Sequence, residues 1–339
     1  MADPGTDYGY FDDENREYVV TDPCTPYPWI NYLGSQEFFS LISNTAGGYS
    51  FYRDARYRRL TRYRYNNVPL DDGGRYFYIN EGESVWSPGW KPARTPLDSY
   101  ECRHGMGYTR ITSSKNGLQA SVLYFVPLDG HTELQCLRVE NLSSRPRQFK
   151  IFSLLEWCLW NAEDDMNNLQ RNLSTGEVEV EGSVIYHKTE YRERRNHYAF
   201  YGVHQDIDGF DTDRDRFLGA YNGFDSPDAV VSGNPGNSIA HGWSPIASHC
   251  IDVRLEPGES REIVFQLGYV EVPEDEKWAK PGIINKQPAR MLMTRYDSSA
   301  KVNNALSDLG NYWDDLLSRF NVHSGIERLD RMVNIWNQY

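Results

Sequence analysis

At Trp160 an apolar run gives way to side chains suited to binding. Glu156-Trp-Cys-Leu-Trp160 is followed closely by Asn161, Glu163, Asp164, Asp165, Asn167, Asn168, Gln170, Arg171 and Asn172. Amides both donate and accept hydrogen bonds, carboxylates accept, and a guanidinium donates in a fixed fork, so the set matches a polyhydroxylated ligand. Loops carried on a rigid scaffold are where such residues usually act. Cleavage of a glycosidic bond would need two carboxylates placed on opposite sides of a sugar. Asp164 and Asp165 are adjacent, and nothing in the spacing makes them straddle anything. The segment therefore reads either as a substrate-lining loop or as a solvated polar one, without a catalytic pair.

Two further segments interleave Arg with Tyr: Tyr52-Arg-Asp-Ala-Arg-Tyr-Arg-Arg-Leu-Thr-Arg-Tyr-Arg-Tyr65 and Thr189-Glu-Tyr-Arg-Glu-Arg-Arg195. Guanidiniums fork onto carboxylate or phosphate and stack on rings. These stretches suit either an anion or domain contact, or an outward strand face laced with ion pairs. The run from Asp206 to Asp215 imitates a calcium loop, with Asp211, Asp213 and Asp215 at positions one, three and five. The glycine required at position six is Arg216 and the closing glutamate is Asn222, so the motif fails and a solvated loop compensated by Arg is expected. There is no H-E-x-x-H, no phosphate-binding G-x-x-x-x-G-K-[ST] and no G-x-S-x-G elbow, so no metal or cofactor is expected.

The elements that must position these groups read as strands. Leu118, Ala120, Val122, Tyr124 and Val126 share one face, Glu177–Glu181 alternates, and Ile263, Phe265, Leu267 and Tyr269 alternate. Turn chemistry at Asp71–Gly74, Asn80–Gly82, Lys115–Gly117 and Glu256–Glu259 separates the runs. Such text predicts a mainly β fold, a large antiparallel sandwich over residues 1–272. From 273 to 339 the period becomes helical. Val302, Leu306, Leu309, Trp313, Leu316 and Phe320 form one stripe; Ile326, Leu329, Val333 and Trp336 form the next, with Ser324 and Glu327 as a capping box. This last stripe runs on to Tyr339 without a stop signal, so a following domain is expected to cover it.

The formal net charge of −13 excludes nucleic acid as a partner, and no apolar run approaches the roughly 20 residues of a membrane span. The acidic start lacks the basic and apolar regions of a secretory signal. Cysteines number 5, widely spread and odd, which fits free thiols in a cytoplasmic protein; the sequons at Asn141 and Asn172 then carry little meaning.

In order along the chain, Tyr8-Gly-Tyr-Phe-Asp-Asp, Trp29-Ile-Asn-Tyr-Leu-Gly34, Ala46-Gly-Gly-Tyr-Ser-Phe-Tyr-Arg-Asp54, Arg59-Leu-Thr-Arg-Tyr-Arg-Tyr-Asn-Asn67, Tyr186-His-Lys-Thr-Glu-Tyr-Arg-Glu-Arg-Arg195 and Leu329-Asp-Arg-Met-Val-Asn-Ile-Trp-Asn-Gln-Tyr339 resemble the front of the cellobiose phosphorylases of glycoside hydrolase family 94. Chitobiose phosphorylases share the Ala-Gly-Gly-Tyr-Ser-Phe-Tyr string. The resemblance implies a β super-sandwich, linker helices, and then an (α/α)6 barrel beyond Tyr339. That barrel would hold the general acid, so no catalytic residue is expected in this chain. Inorganic phosphate, as co-substrate, would attack the anomeric carbon of cellobiose with inversion, giving α-glucose 1-phosphate and glucose. The resemblance also implies a homodimer, with Asn161, Asn168, Gln170 and Arg171 near the active-site entrance as substrate-binding residues. Three other readings stay open: a stand-alone carbohydrate-binding sandwich, a chitobiose-type phosphorylase, and a hydrolase relative.

Overall fold

A computed structural model describes residues 8–34, 36–63, 71–167, 176–190, 195–242 and 244–337. Two large antiparallel sheets dominate it. The eleven-stranded sheet runs in the order Gly9–Asp12, Glu17–Val20, Ser99–Gly105, Tyr108–Lys115, Leu118–Phe125, Thr132–Asn141, Ser260–Glu271, His197–Val203, Val184–His187, Gly176–Glu181, His241–Gly242. The nine-stranded sheet is built on the long strand Arg147–Trp160, which pairs with Pro245–Leu255 on one side and with Arg75–Asn80 and Arg59–Thr61 on the other. The predicted mainly β, antiparallel architecture is what the chain adopts.

The alternation in Leu118–Phe125 has a direct cause. Leu118, Ala120, Val122 and Tyr124 enter the core between the sheets, and their hairpin to Tyr108–Lys115 turns at Asn116–Gly117. Both residues of that turn hold positive φ (52° and 81°), the geometry that Asn-Gly supplies. Glu177–Glu181 lies in a strand, as its pattern predicts. In Ser260–Glu271, by contrast, residues from Ile263 to Val270 are buried on both faces. The inner face meets the opposite sheet; the outer face is covered by helices.

Six short or medium helices are described: α1 Ala162–Met166, α2 Arg214–Leu218, α3 Asp228–Ser232, α4 Gln287–Thr294, α5 Ser299–Ser318 and α6 Glu327–Arg331. The stripe predicted for α5 is borne out in part: Val302 and Leu309 pack on Phe125, Leu134 and Val264, while Phe320 is exposed. Residues from 273 open on a single 3-10 turn, Glu274–Glu276, and not on a long helix. A small hairpin, Trp278–Lys280 with Ile283–Ile284, precedes α4.

The last stripe is met in part. Ile326 and Leu329 are exposed, as an uncovered face requires, and Val333 and Trp336 are half-buried; Ile335, outside the stripe, is buried with Met106 and Leu317. The helix widens to a π-type turn over Met332–Trp336, which shifts the phase that a 3.6-residue period assumes. Arg331 lies 4.6 Å over the Phe11 ring and donates to Asp13 at 2.6 Å, so this terminus docks on the sheet edge. The capping box also fails. α6 starts at Glu327, and Ser324 instead donates to Asp330 Oδ1 at 2.7 Å.

Candidate functional site

The long strand ends at a fully buried Trp160 held at φ 72°. This left-handed value is costly for a bulky residue and persists because the ring is fixed on all sides. Its indole stacks on His187 (4.9 Å between centroids), meets His197 (4.2 Å), and donates Nε1–H to the Thr189 carbonyl at 2.8 Å. The chain then turns into α1. Asn161 caps it, its Oδ1 accepting from the Glu163 and Asp164 amides at 3.1 and 3.2 Å. Three acidic residues in the first turn complement the helix dipole.

The expected loop is therefore a capped helical turn, and its carboxylates have separate tasks. Asp165 is buried and clasped by Arg62, whose Nε lies 2.8 and 2.9 Å from the two carboxylate oxygens. Arg62 Nη1 also donates to Glu156 Oε1 at 2.9 Å, and Arg214 Nε approaches the same oxygen at 3.1 Å. Arg62 is only 3% exposed. Burial opposes its charge, but Glu156 and Asp165 outweigh burial and hold its pKa above the ordinary arginine value. Asp165 is thus spent on structure and cannot form one half of a catalytic pair with Asp164.

Of the four predicted binding residues, Asn161 caps α1, with its Nδ2 donating to Asp164 at 3.2 Å. Asn168, Gln170 and Arg171 lie outside the described residues; the segment that carries them begins directly after Asn167, the C-cap of α1. The geometry does bring the three polar segments together at one end of the sandwich. The Arg56 carbonyl accepts from Ala162 N at 2.7 Å, Trp160 pairs with Arg59, and Thr189 holds the Trp160 indole. Of the two readings of the Arg–Tyr segment, the ion-pair reading fits its described part. Arg53 meets Glu37, Arg56 meets Glu163, Arg58 meets Glu271, and Arg59 stacks on Tyr49 at 3.8 Å.

The acidic run is corrected too. Asp211 is buried in a strand, accepting from Gly236 N (2.8 Å), Ser238 N (3.1 Å) and Ser238 Oγ (2.6 Å), and Asp213 caps α2. Asp211 staples a loop instead of facing solvent, whereas Asp206, Asp208 and Asp215 are exposed, as a solvated run requires. Among the described residues no cluster of three or more His, Cys, Asp or Glu side chains is arranged to hold a metal. His187 and His197 are driven down to about 3 and about 2 by burial, so neither exchanges a proton near neutrality. Among the described residues, this end of the sandwich positions the start of a loop and presents no acid–base pair. Sequence reasoning missed the Arg62 clasp, whose partner lies 103 positions away.

That clasp gives a prediction. Arg62→Ala removes the guanidinium that clasps buried Asp165 and leaves Glu156 to Arg214, and should lower stability by about 1.5–3 kcal/mol, read as a shift in urea midpoint. Arg62→Lys, a point charge without the fork, should recover only part of it. A midpoint unchanged in Arg62→Ala would mean that the clasp does not hold α1.

Residues 16–299 match the family model described as the supersandwich domain of glycosyl hydrolase 94. The chain is 32% identical over 338 residues to an N,N'-diacetylchitobiose phosphorylase of Vibrio furnissii, covering 98% of this chain and 40% of that protein. It is 34% identical over 342 residues to the enzyme of the same name from Vibrio proteolyticus, with the same coverage. It thus spans about 40% of the length of these relatives. A solved structure described as a kojibiose phosphorylase from the human microbiome shares the fold, with a TM-score of 0.50 at 9% identity, covering 90% of this chain and 39% of that one. With the two-sheet architecture, the match over most of its length and these relatives, the chain belongs to the glycosyl hydrolase 94 supersandwich family.

Proposed function

We propose that this chain is the sandwich (1–272) and connecting part (273–339) of an inverting disaccharide phosphorylase that uses inorganic phosphate to cleave a β-linked disaccharide. The observation that carries the reading is the similarity, over 98% of the chain, to phosphorylases that are themselves about two and a half times longer. The chain itself supports substrate through the segment after α1, with Asn168, Gln170 and Arg171 as binding residues and Asn161 as the cap that sets its start. The general acid lies outside this chain. Cellobiose is the first substrate to try, on the Arg59–Asn67 string. N,N'-diacetylchitobiose is the second, favoured by the names of the two Vibrio relatives. No helix is long and apolar enough to cross a membrane. All five cysteines are free and four are buried, which supports a reducing, cytoplasmic setting. Asn141 is buried, its amide donating to the Arg145 and Leu255 carbonyls at 2.8 and 3.1 Å, so it is no glycan acceptor. A homodimer is part of the same reading.

The test is release of sugar 1-phosphate from each disaccharide, with and without phosphate, by a protein extended past Tyr339 and by the 339-residue chain. Activity only in the extended protein, and only with phosphate, is expected. Hydrolysis without phosphate would overturn the phosphorylase reading; turnover by the 339-residue chain would place catalysis in the sandwich.

A further inference from the structure

A cleft of about 460 Å³ opens on the nine-stranded sheet. Its floor is Arg62, Tyr76 and Glu156. One wall is the loop Lys91–Arg94 and the other is the turn Gly223–Asp225. The volume lies within the roughly 300–1,000 Å³ range of small-molecule sites.

The rim is fixed before any ligand arrives. Asp71, Trp90, Arg94 and Tyr221, none of them glycine, hold φ between 52° and 67°, a conformation that neighbouring structure must enforce. The Tyr78 hydroxyl donates to the Phe224 carbonyl at 2.6 Å and anchors the far wall. Arg214 is stacked 5.0 Å over the Phe224 ring and reaches Glu156 at 3.1 Å, so ring, cation and carboxylate are locked together.

The charge pattern selects the ligand class. Arg62, Lys91, Arg94 and Arg214 line the cleft together with Asp72, Glu156 and Asp225, leaving the site nearly balanced. Asp72 lies 3.8 Å from Lys91 and 3.9 Å from Arg94, long contacts that leave both the rim acid and Arg94 able to take another partner. Glu156 spends Oε1 on both Arg62 and Arg214. A phosphate is an anion and would meet three carboxylates. A hydroxyl both donates and accepts, so a polyol can use the cations and the acids at once. Phe224, half-buried against the core with Arg214 over its ring, adds the part it leaves open as an apolar contribution to the wall.

We propose that this cleft is a second carbohydrate site, taking one or two units of an uncharged β-linked oligosaccharide. It needs neither the phosphorylase reading nor the segment after α1, so the two proposals can fail separately.

The experiment is calorimetric titration of the 339-residue chain with cellobiose, N,N'-diacetylchitobiose and orthophosphate. Wild type is compared with Phe224→Ala, Arg94→Ser and, to test the segment after α1, Arg171→Ala. At least one disaccharide should bind, and each cleft variant should weaken it by about tenfold. Arg94 is half exposed at its side chain, so its variant should keep the wild-type melting midpoint and separate lost binding from lost folding. No heat with either sugar, orthophosphate binding in preference to both, or sugar binding that survives both cleft variants would overturn the proposal. Sugar binding lost in Arg171→Ala and kept in the cleft variants would overturn it too, and would place the sugar at the segment after α1.

Discussion

Replacing Glu133 by Gln should cost the fold about 3–5 kcal/mol, although the change removes no atom from the core. Glu133 is fully buried between the sheets, and Arg75 beside it is 1% exposed. The Arg75 Nε lies 2.8 Å from Glu133 Oε1. Arg75 Nη2 donates to Ser40 and Ser50 at 2.6 and 2.9 Å, and both hydroxyls donate in turn to Glu133 Oε2. Gln135 donates to Oε1 at 2.9 Å, and the Tyr201 hydroxyl caps Gln135 at 3.0 Å. Arg75, Ser40 and Ser50 belong to the nine-stranded sheet; Glu133, Gln135 and Tyr201 belong to the other. The network thus bridges the sandwich and tolerates only one sliding position of sheet on sheet. Removing the carboxylate charge leaves a guanidinium buried with no anion, and that loss drives the cost. Removing both charges should cost less. The double variant Arg75→Met/Glu133→Leu should be more stable than Glu133→Gln and than the sum of its own singles, Arg75→Met and Glu133→Leu, allows, measured as a double-mutant cycle by urea unfolding. A loss below about 1 kcal/mol in Glu133→Gln, or a double variant as unstable as the sum of its singles, would show that the pair is not coupled.

How much of this was legible depends on the distance between partners. The sandwich could be read because Leu118 to Tyr124 bury one face, and a period of two records that directly. The Asn116–Gly117 turn announced its own geometry. The Arg75–Glu133 bridge could not be read, since a buried ion pair leaves no local pattern and both residues sit in strands that otherwise look apolar. The same holds at the candidate site. Asn161 stood out as a polar residue after an apolar run, but its cap role depends on where α1 begins. Asp165 looked like Asp164, yet Arg62 makes one a buried anchor and leaves the other half-buried on the helix. Asp211 passed for a solvated acid because nothing local shows that Gly236 and Ser238 fold back onto it. The C-terminal stripe was legible only in part for a different reason: the period itself changes at Met332, so the burial of Ile335 could not be read from a 3.6-residue repeat.

Acid should unfold this protein early, and histidine is the cause. His187 and His249 are held near a pKa of 3, His104 near 4 and His197 near 2, in each case chiefly by burial. Each ring is neutral and engaged. His187 contacts the Cys158 carbonyl at 3.1 Å, His249 the Ser153 hydroxyl at 3.1 Å, His104 Thr109 at 2.9 Å, and His197 the Tyr269 hydroxyl at 2.8 Å. Arg195, Arg58 and Lys277 stand near His197 and further oppose a positive charge there. The unfolded chain takes up a proton at each ring near pH 6.5, whereas the folded chain resists until about pH 4 or lower. The contribution of each ring is therefore intact above pH 6.5 and shrinks as pH falls, by about 1.4 kcal/mol per pH unit per histidine. Between pH 6.5 and 5 few other side chains titrate, so the slope in that window belongs mainly to these four. Urea unfolding should show a midpoint that falls steadily from pH 7 to pH 5. His249→Asn starts from a lower stability, but should give a visibly shallower decline, because one proton-uptake site is gone from the unfolded chain. A midpoint that holds constant from pH 7 to pH 5 would mean that the rings accept protons in the folded state, and that the core around Trp160 and Tyr201 is open to water.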